Sequence, residues 1–236
     1  MARLPVLMYH NVSPPGGVSS GLTISADRLE EQLQWLHAAG YTSLHLQEIE
    51  GRNTLPEKSI IITFDDVTVN QMEHAVPLLE RYNMKAVFFI PFKYLGKTDE
   101  WNDSTEPIMD AAQLKALPAN IELGYHSYAH RRYVTLSEEE VNTDFERCRA
   151  VIAETGLNVF EAVAYPYGNF PKKGNANREF RQWLQNNGMK MGLRIGNRVN
   201  SFPFKDEYTI QRIDVKGQYS LGSFKWRVRF GRLKLF

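Results

Sequence analysis

The segment Ile60-Ile61-Ile62-Thr63-Phe64-Asp65-Asp66 sets an apolar, β-branched run directly against two adjacent carboxylates. Such a run is the signature of a buried strand. Side chains alternate along a strand, so neighbouring aspartates share one face only where the strand ends and the backbone turns. Two acids at the mouth of a buried strand each raise the other's pKa. A metal ion relieves that cost by holding one carboxylate ionised as a ligand and leaving the other free as a base. The plain alternative is a strand-end turn with a helix cap.

A second segment favours the metal. Ile121-Glu122-Leu123-Gly124-Tyr125 reads as another short strand, and it runs into His126-Ser127-Tyr128-Ala129-His130. A spacing of four places both imidazoles on one side of a helical turn, which suits two ligands on one ion. The chain has only six histidines, so this pair just past a strand end is informative. One aspartate with two histidines leaves coordination positions open for water and substrate.

Strands and helices alternate along the chain, as a parallel sheet requires. After a first strand over Pro5–His10, Ser25 is placed to cap a helix burying Leu29, Leu33 and Leu36 and ended by Gly40. A helix is expected from Met72 to Tyr82, kinked or started early by Pro77. Ala86–Ile90 reads as a strand, and Ser137 with Glu140 forms a capping box for a helix reaching about Glu154. Ala162–Ala164 and Met189–Leu193 read as strands around a helix patterned by Phe180, Trp183 and Leu184. With 236 residues and no linker or repeat, one α/β domain over residues 1–236 is expected. Functional residues at strand C-terminal ends are what a barrel provides, because the loops there surround one pocket.

The motifs Thr63-Phe64-Asp65-Asp66, His126-Ser127-Tyr128-Ala129-His130 and Ala164-Tyr165-Pro166-Tyr167-Gly168 resemble, in that order, the first three motifs of the polysaccharide deacetylases. These are the NodB-homology enzymes, carbohydrate esterase family 4. The opening Pro5-Val6-Leu7-Met8-Tyr9-His10 is similar to the first strand of the branch acting on poly-N-acetylglucosamine exopolysaccharides. The resemblance implies a distorted (β/α) barrel of about seven parallel strands. It also implies metal-dependent hydrolysis of N-acetyl groups on amino sugars of a polysaccharide or glycolipid-linked oligosaccharide. Asp66, His126 and His130 would then hold a divalent metal, Zn²⁺ first, with Co²⁺, Ni²⁺ and Fe²⁺ as alternatives. Asp65 would be the base, and the backbone N–H of Tyr167, aimed by Pro166, the oxyanion donor.

Departures from the family pattern carry information too. Val67 stands where the family usually has glycine after the aspartate pair, so a glycine-type turn is not expected. Ala164 replaces the arginine that supports the base in many members. The late Leu-x-x-His motif that supplies the general acid is absent, since no histidine follows His130. His10 is therefore the candidate acid or a substrate contact, against the plainer reading of a histidine bonded at the barrel rim. Arg212 is the candidate for the missing positive charge, against a surface arginine. Trp101 stacks on a sugar ring or anchors its own loop. These departures keep a non-catalytic carbohydrate-binding relative open, although a pure binder has no need of Asp65; a deformylase or other amidase on a smaller sugar conjugate is a third reading.

A net charge of +1, with no basic face interleaved with aromatics, gives no ground for nucleic-acid binding. The single Cys148, within a helical pattern, excludes an intrachain disulfide and reads as a packed thiol. His37, His45 and His74 read as solvated. No protein partner is implied. The N-terminus lacks a leader pattern and no run is long enough to span a bilayer, so a cytoplasmic protein, peripheral to the inner membrane at most, is expected. Residues 216–236 form a basic-aromatic segment: Phe224-Lys225-Trp226-Arg227-Val228-Arg229-Phe230, then Arg232 and Lys234. It suits docking on anionic lipid or a lipid-linked sugar phosphate, or closing the barrel as a strand or helix.

Overall fold

A computed structural model describes residues 1–232. Seven parallel strands form a closed ring: β1 (Val6–Tyr9), β2 (Ser59–Asp65), β3 (Ala86–Ile90), β4 (Ile121–Tyr125), β5 (Ala162–Ala164), β6 (Met191–Ile195) and β7 (Ile210–Asp214). Each pairs with its successor, and β7 pairs back to β1. The ring is uneven: β3 and β4 align over five residue pairs, β4 and β5 only at Tyr125↔Val163. This is the distorted barrel of about seven strands that the sequence implied.

Strands β1, β2 and β3 are buried along their whole length because both of their faces are covered. One set of side chains, including Val6, Ile61, Val87, Phe89, Ala162 and Leu193, fills the barrel interior. The alternate set, including Leu7, Ile60, Ile62, Phe64, Phe88 and Val163, packs outward under the helices. Those helices are α1 (Ala26–Ala38), α2 (Val76–Arg81), α3 (Ala111–Lys115), α4 (Glu138–Thr155), α5 (Gly174–Asn186) and α6 (Leu221–Phe230).

Local chemistry sets the helix ends. Ser137 and Glu140 cap α4 reciprocally, at 3.3 and 2.9 Å, and the helix buries Cys148. Ser25 occupies the N-cap position of α1, yet its hydroxyl makes no capping bond. Pro77 sits in the first turn of α2, and a wide π turn over Gln71–Ala75 precedes it. The irregularity falls there because proline has no N–H for the ladder. β6 begins two residues later than the periodicity suggests. Gly188, at φ +78°, ends the α5 segment, and Met189 and Lys190 are spent on carbonyls of Leu184 and Glu161 before the sheet is reached. The alternating Phe224–Phe230 stretch is helical: Phe224 and Val228, one turn apart, are buried, while Trp226 and Phe230 are exposed. Phe224 meets Trp35 of α1 edge-on at 5.8 Å. Lys234 lies outside the described residues. No described helix is long and apolar enough to cross a membrane.

Candidate active site

Strand alternation decides which side chains reach the top of the barrel. On β2, Ile61, Thr63 and Asp65 face inward while Ile60, Ile62 and Phe64 face outward. The same rhythm turns Met8 and then His10 inward from β1, Arg212 and Asp214 from β7, and His126 past the end of β4. These residues, with Asp66, His130, Trp101 and Tyr167, line one cavity of about 340 Å³.

Asp66, His126 and His130 offer three ligand atoms all within 4.8 Å of one another. Asp66 Oδ1 lies 3.5 Å from His126 Nε2 and 3.4 Å from His130 Nε2. The His126 Nδ1–H donates to the Ala164 carbonyl at 2.8 Å, which leaves Nε2 with its lone pair toward the cavity. His130 Nδ1 pairs with the Tyr167 hydroxyl at 3.2 Å. Burial pushes His126 down to about 4 and His130 to about 2, so both imidazoles are neutral. Asp66 Oδ1 is buried with no hydrogen-bond partner among the described residues. Burial, then Asp65 and Asp99, drive its carboxyl well above the usual range. Two neutral imidazoles aimed at an orphaned carboxylate oxygen are a set that a divalent cation completes.

The backbone that brings them together differs from the sequence expectation. His126 and His130 do not share a helical turn. The loop between them is irregular, with Ser127 at φ +63° and His130 at +53°. Nor does Val67 prevent a glycine-type turn, for Asp66 and Val67 have φ +77° and +46°. A β-branched residue there is strained. It is held by complete burial of its side chain and by Met109 N–H donating to its carbonyl at 2.9 Å, while Asp66 N–H bonds Phe89 at 3.1 Å. Tyr167 is left-handed as well, at +59°. Five strained non-glycine residues thus sit on the loops around one cavity, where surrounding packing over-determines them.

Arg212 is no surface arginine. It is fully buried and grips Asp65 with both nitrogens, at 2.5 and 2.7 Å. Its Nη1 also donates to Thr63 Oγ1 at 3.2 Å, and Thr63 in turn donates to the Leu7 carbonyl. Burial alone would raise the Asp65 carboxyl, but the Arg212 guanidinium, charged at every relevant pH, holds it well below the usual carboxylate range. The positive charge that Ala164 lacks comes instead from β7. His10 Nε2 lies 3.8 Å from Asp65 Oδ2, and its Nδ1 is buried without a partner among the described residues. Burial lowers its pKa, against the pull of Asp65.

The Tyr-Pro-Tyr-Gly loop forms a single 3₁₀ turn, Pro166–Gly168, at the cavity edge. Pro166 has no N–H and the Gly168 N–H donates to the Tyr165 carbonyl at 2.8 Å, so the Tyr167 N–H is left without a partner among the described residues. Gly168, at φ +61°, is required by space as well: a side chain would meet Ile195 at 2.8 Å. Trp101 stacks on His130 at 4.2 Å and 22° and meets Tyr94 edge-on at 4.8 Å, so one ring face buttresses a metal-ligand histidine. Sequence reasoning missed Asp99, Asp214 and Lys216, which share the cavity. Buried Asp99 accepts the Glu106 N–H at 2.8 Å and Asn102 Nδ2 at 2.9 Å. Asp214 pairs with Lys216 at 2.8 Å. Strand alternation from Arg212 was the signal for Asp214. His45, read as solvated, is largely covered and pairs with the Asn120 carbonyl at 2.9 Å.

Comparison with known proteins follows the same residues. The Bacillus subtilis protein YxkH is 26% identical over 196 residues, covering 81% of this chain and 64% of its own length. The poly-beta-1,6-N-acetyl-D-glucosamine N-deacetylase of Staphylococcus epidermidis is 23% identical over 207 residues, covering 81% of this chain and 67% of that protein. The chain thus spans about two thirds of the length of these relatives. The Streptococcus pyogenes deacetylase PplD, solved in complex with acetate, has the same fold, with a TM-score of 0.79 at 20% identity over 96% of this chain and 98% of that one. IcaB from Ammonifex degensii gives 0.78 at 24% identity, over 97% and 98%. Residues 52–192, which carry the aspartate pair, both histidines and the Tyr167 loop but neither His10 nor Arg212, match the family described as polysaccharide deacetylase, and to that family the chain belongs.

Proposed function

We propose that the chain hydrolyses N-acetyl groups from amino sugars of a polysaccharide or glycolipid-linked oligosaccharide, with a divalent metal held by Asp66, His126 and His130. The observation that carries this reading is the ligand triangle set beside a second carboxylate, Asp65, that Arg212 keeps ionised. Two imidazole nitrogens and one carboxylate oxygen suit Zn²⁺, and we propose zinc as the resident ion. When bound, the ion supplies Lewis acidity, polarising the amide carbonyl and acidifying water.

The chain's own groups do the rest. Asp65 accepts the proton of the attacking water, since Arg212 holds it ionised and fixes its plane toward the cavity. The Tyr167 N–H, at the start of its 3₁₀ turn, is the donor to the developing oxyanion. Breaking the C–N bond leaves an amine that needs a proton, and His10 or the protonated Asp65 delivers it. The products are acetate and a free amino sugar. Trp101 and Tyr167 give the cavity an aromatic rim on which a sugar ring can lie.

Free-amine release from a panel of N-acetylated oligosaccharides, with and without chelator and added metal, tests the reading. Release should require metal, and His126→Ala should lose both the ion and the activity. Full metal content in that variant would remove the assigned centre. Metal-loaded wild type that binds the panel without releasing amine would favour a carbohydrate-binding relative, and release from N-formyl substrates alone would favour a deformylase.

A further inference from the structure

A second cavity, of about 940 Å³, lies behind the first and shares its wall. Ile195 and Arg212 face the reactive cavity, whereas their strand neighbours Arg194 and Gln211 line the space on the outer side of β6 and β7. A parallel sheet normally covers that face with a helix. Here the chain between β6 and β7 instead passes through the strand Asn200–Phe202, which pairs with Ala2–Leu4, and contains no helix. The outer wall is left bare beside α6.

Four guanidinium groups surround the gap: Arg194, Arg198, Arg227 and Arg232. Asn197, Gln211 and Ser223 add uncharged polar groups, and among the described residues no carboxylate lines the space. Arg81, Arg131, Arg181 and Arg212 each pair with an acid, whereas none of these four does among the described residues. With a net charge of only +1, the concentration is local. Arg194 is half-buried, and both burial and Arg198 act against its charge. Four like charges around one concavity are a standing cost that an anion removes.

We infer that this cavity is a binding site for a diphosphate-bearing ligand. Guanidinium forks match phosphate oxygens in pairs. The volume is that of a small-molecule site and exceeds what one inorganic ion fills. Trp226, 46% exposed on the cavity margin, offers a flat face to the organic part. Concavity favours an enclosed phosphoryl group over a flat lipid surface.

The test is calorimetric titration of the full, metal-loaded chain with inorganic pyrophosphate. One saturable site should appear, weakening with salt. Arg198→Gln and Arg227→Gln should each reduce affinity about tenfold, the loss of one charge-assisted pair. Arg198 is exposed, so its variant should keep the wild-type melting temperature; Arg131→Gln, at a distant ion pair, should bind normally. His126→Ala should retain pyrophosphate binding, which separates this site from the metal centre whether or not the chain is a deacetylase. Three results would overturn the inference: no saturable binding, binding lost in His126→Ala but kept in the arginine variants, or arginine-dependent capture by phosphatidylglycerol vesicles with no affinity for pyrophosphate.

Discussion

Asp65 and Glu122 are buried carboxylates at opposite ends of the barrel, and the protein treats them in opposite ways. Asp65 ends β2 at the top, where Arg212 closes on it with two short bonds. Glu122 lies near the start of β4, where the short helix Leu46–Ile49 covers it. It accepts only backbone N–H groups, from Leu46 at 2.9 Å and Gln47 at 3.0 Å. Burial pushes Glu122 up to about 7 in spite of those bonds, while Asp65 is drawn well below the usual range. Desolvation acts on both. A fixed, buried guanidinium outweighs it, and two amide dipoles do not. One end of the barrel therefore holds a permanent anion and the other a carboxyl that titrates near neutrality.

Removing the guanidinium is the strongest way to break this contrast. Arg212→Met leaves Asp65 buried and uncompensated, a change that costs about 3–5 kcal/mol in buried pairs. Chemical denaturation should show that loss near neutral pH, with part of it recovered in acid as Asp65 takes up a proton. A loss below about 1 kcal/mol would mean that Asp65 is solvated and that the two ends differ less than their geometry implies.

Asp65→Asn attacks the same pair from the other side. Turnover should fall by about 10²–10⁴, the usual contribution of a positioned base, while metal content stays unchanged. The ion pair with Arg212 makes stability sensitive to this change as well. The asparagine keeps one oxygen for Arg212 and loses the charge, so a cost of about 1–3 kcal/mol follows. Undiminished hydrolysis would assign the base elsewhere.

What the sequence revealed and what it concealed divide along a physical line. The strands were readable because β2 and β3 are apolar on both faces, and the ligand set because its residues lie within two short motifs. The Arg212 pairing was not readable with certainty, since 147 positions separate it from Asp65 and only closure of the barrel brings them together. Val67 and His130 adopt left-handed backbone for reasons of surrounding packing, which no property of valine or histidine announces. The last helix was ambiguous because Phe224 and Val228 satisfy both a two-residue and a four-residue period.

His10 sharpens the upper end of the comparison by asking which groups there move protons and which only hold charge. His10→Gln preserves a polar side chain and removes the ionisable ring. If His10 protonates the departing amine, kcat should fall by about 10², with metal content and substrate affinity little changed. Kinetics equal to wild type would leave the proton to Asp65 and make His10 a rim contact.

Glu122→Gln tests the lower end, with the smallest expected effect. Its folded pKa, about 7, lies above the value of about 4.3 for an unfolded glutamate. The native state therefore holds the extra proton between those two values. The stability tied to that proton is fully present below about pH 4.3 and is lost as pH rises through about 7. Glutamine resembles the protonated side chain and can still accept from Leu46 or Gln47. Between pH 5 and pH 8 the variant should gain about 2–3 kcal/mol relative to the wild type, read from urea denaturation at each pH. Lys85 and Glu48 stand nearby with opposing influences, so the difference between the two proteins is the quantity to follow. Parallel stability curves from pH 5 to 8 would show that Glu122 ionises as readily in the fold as out of it, and that its two backbone N–H bonds suffice where we argue they do not.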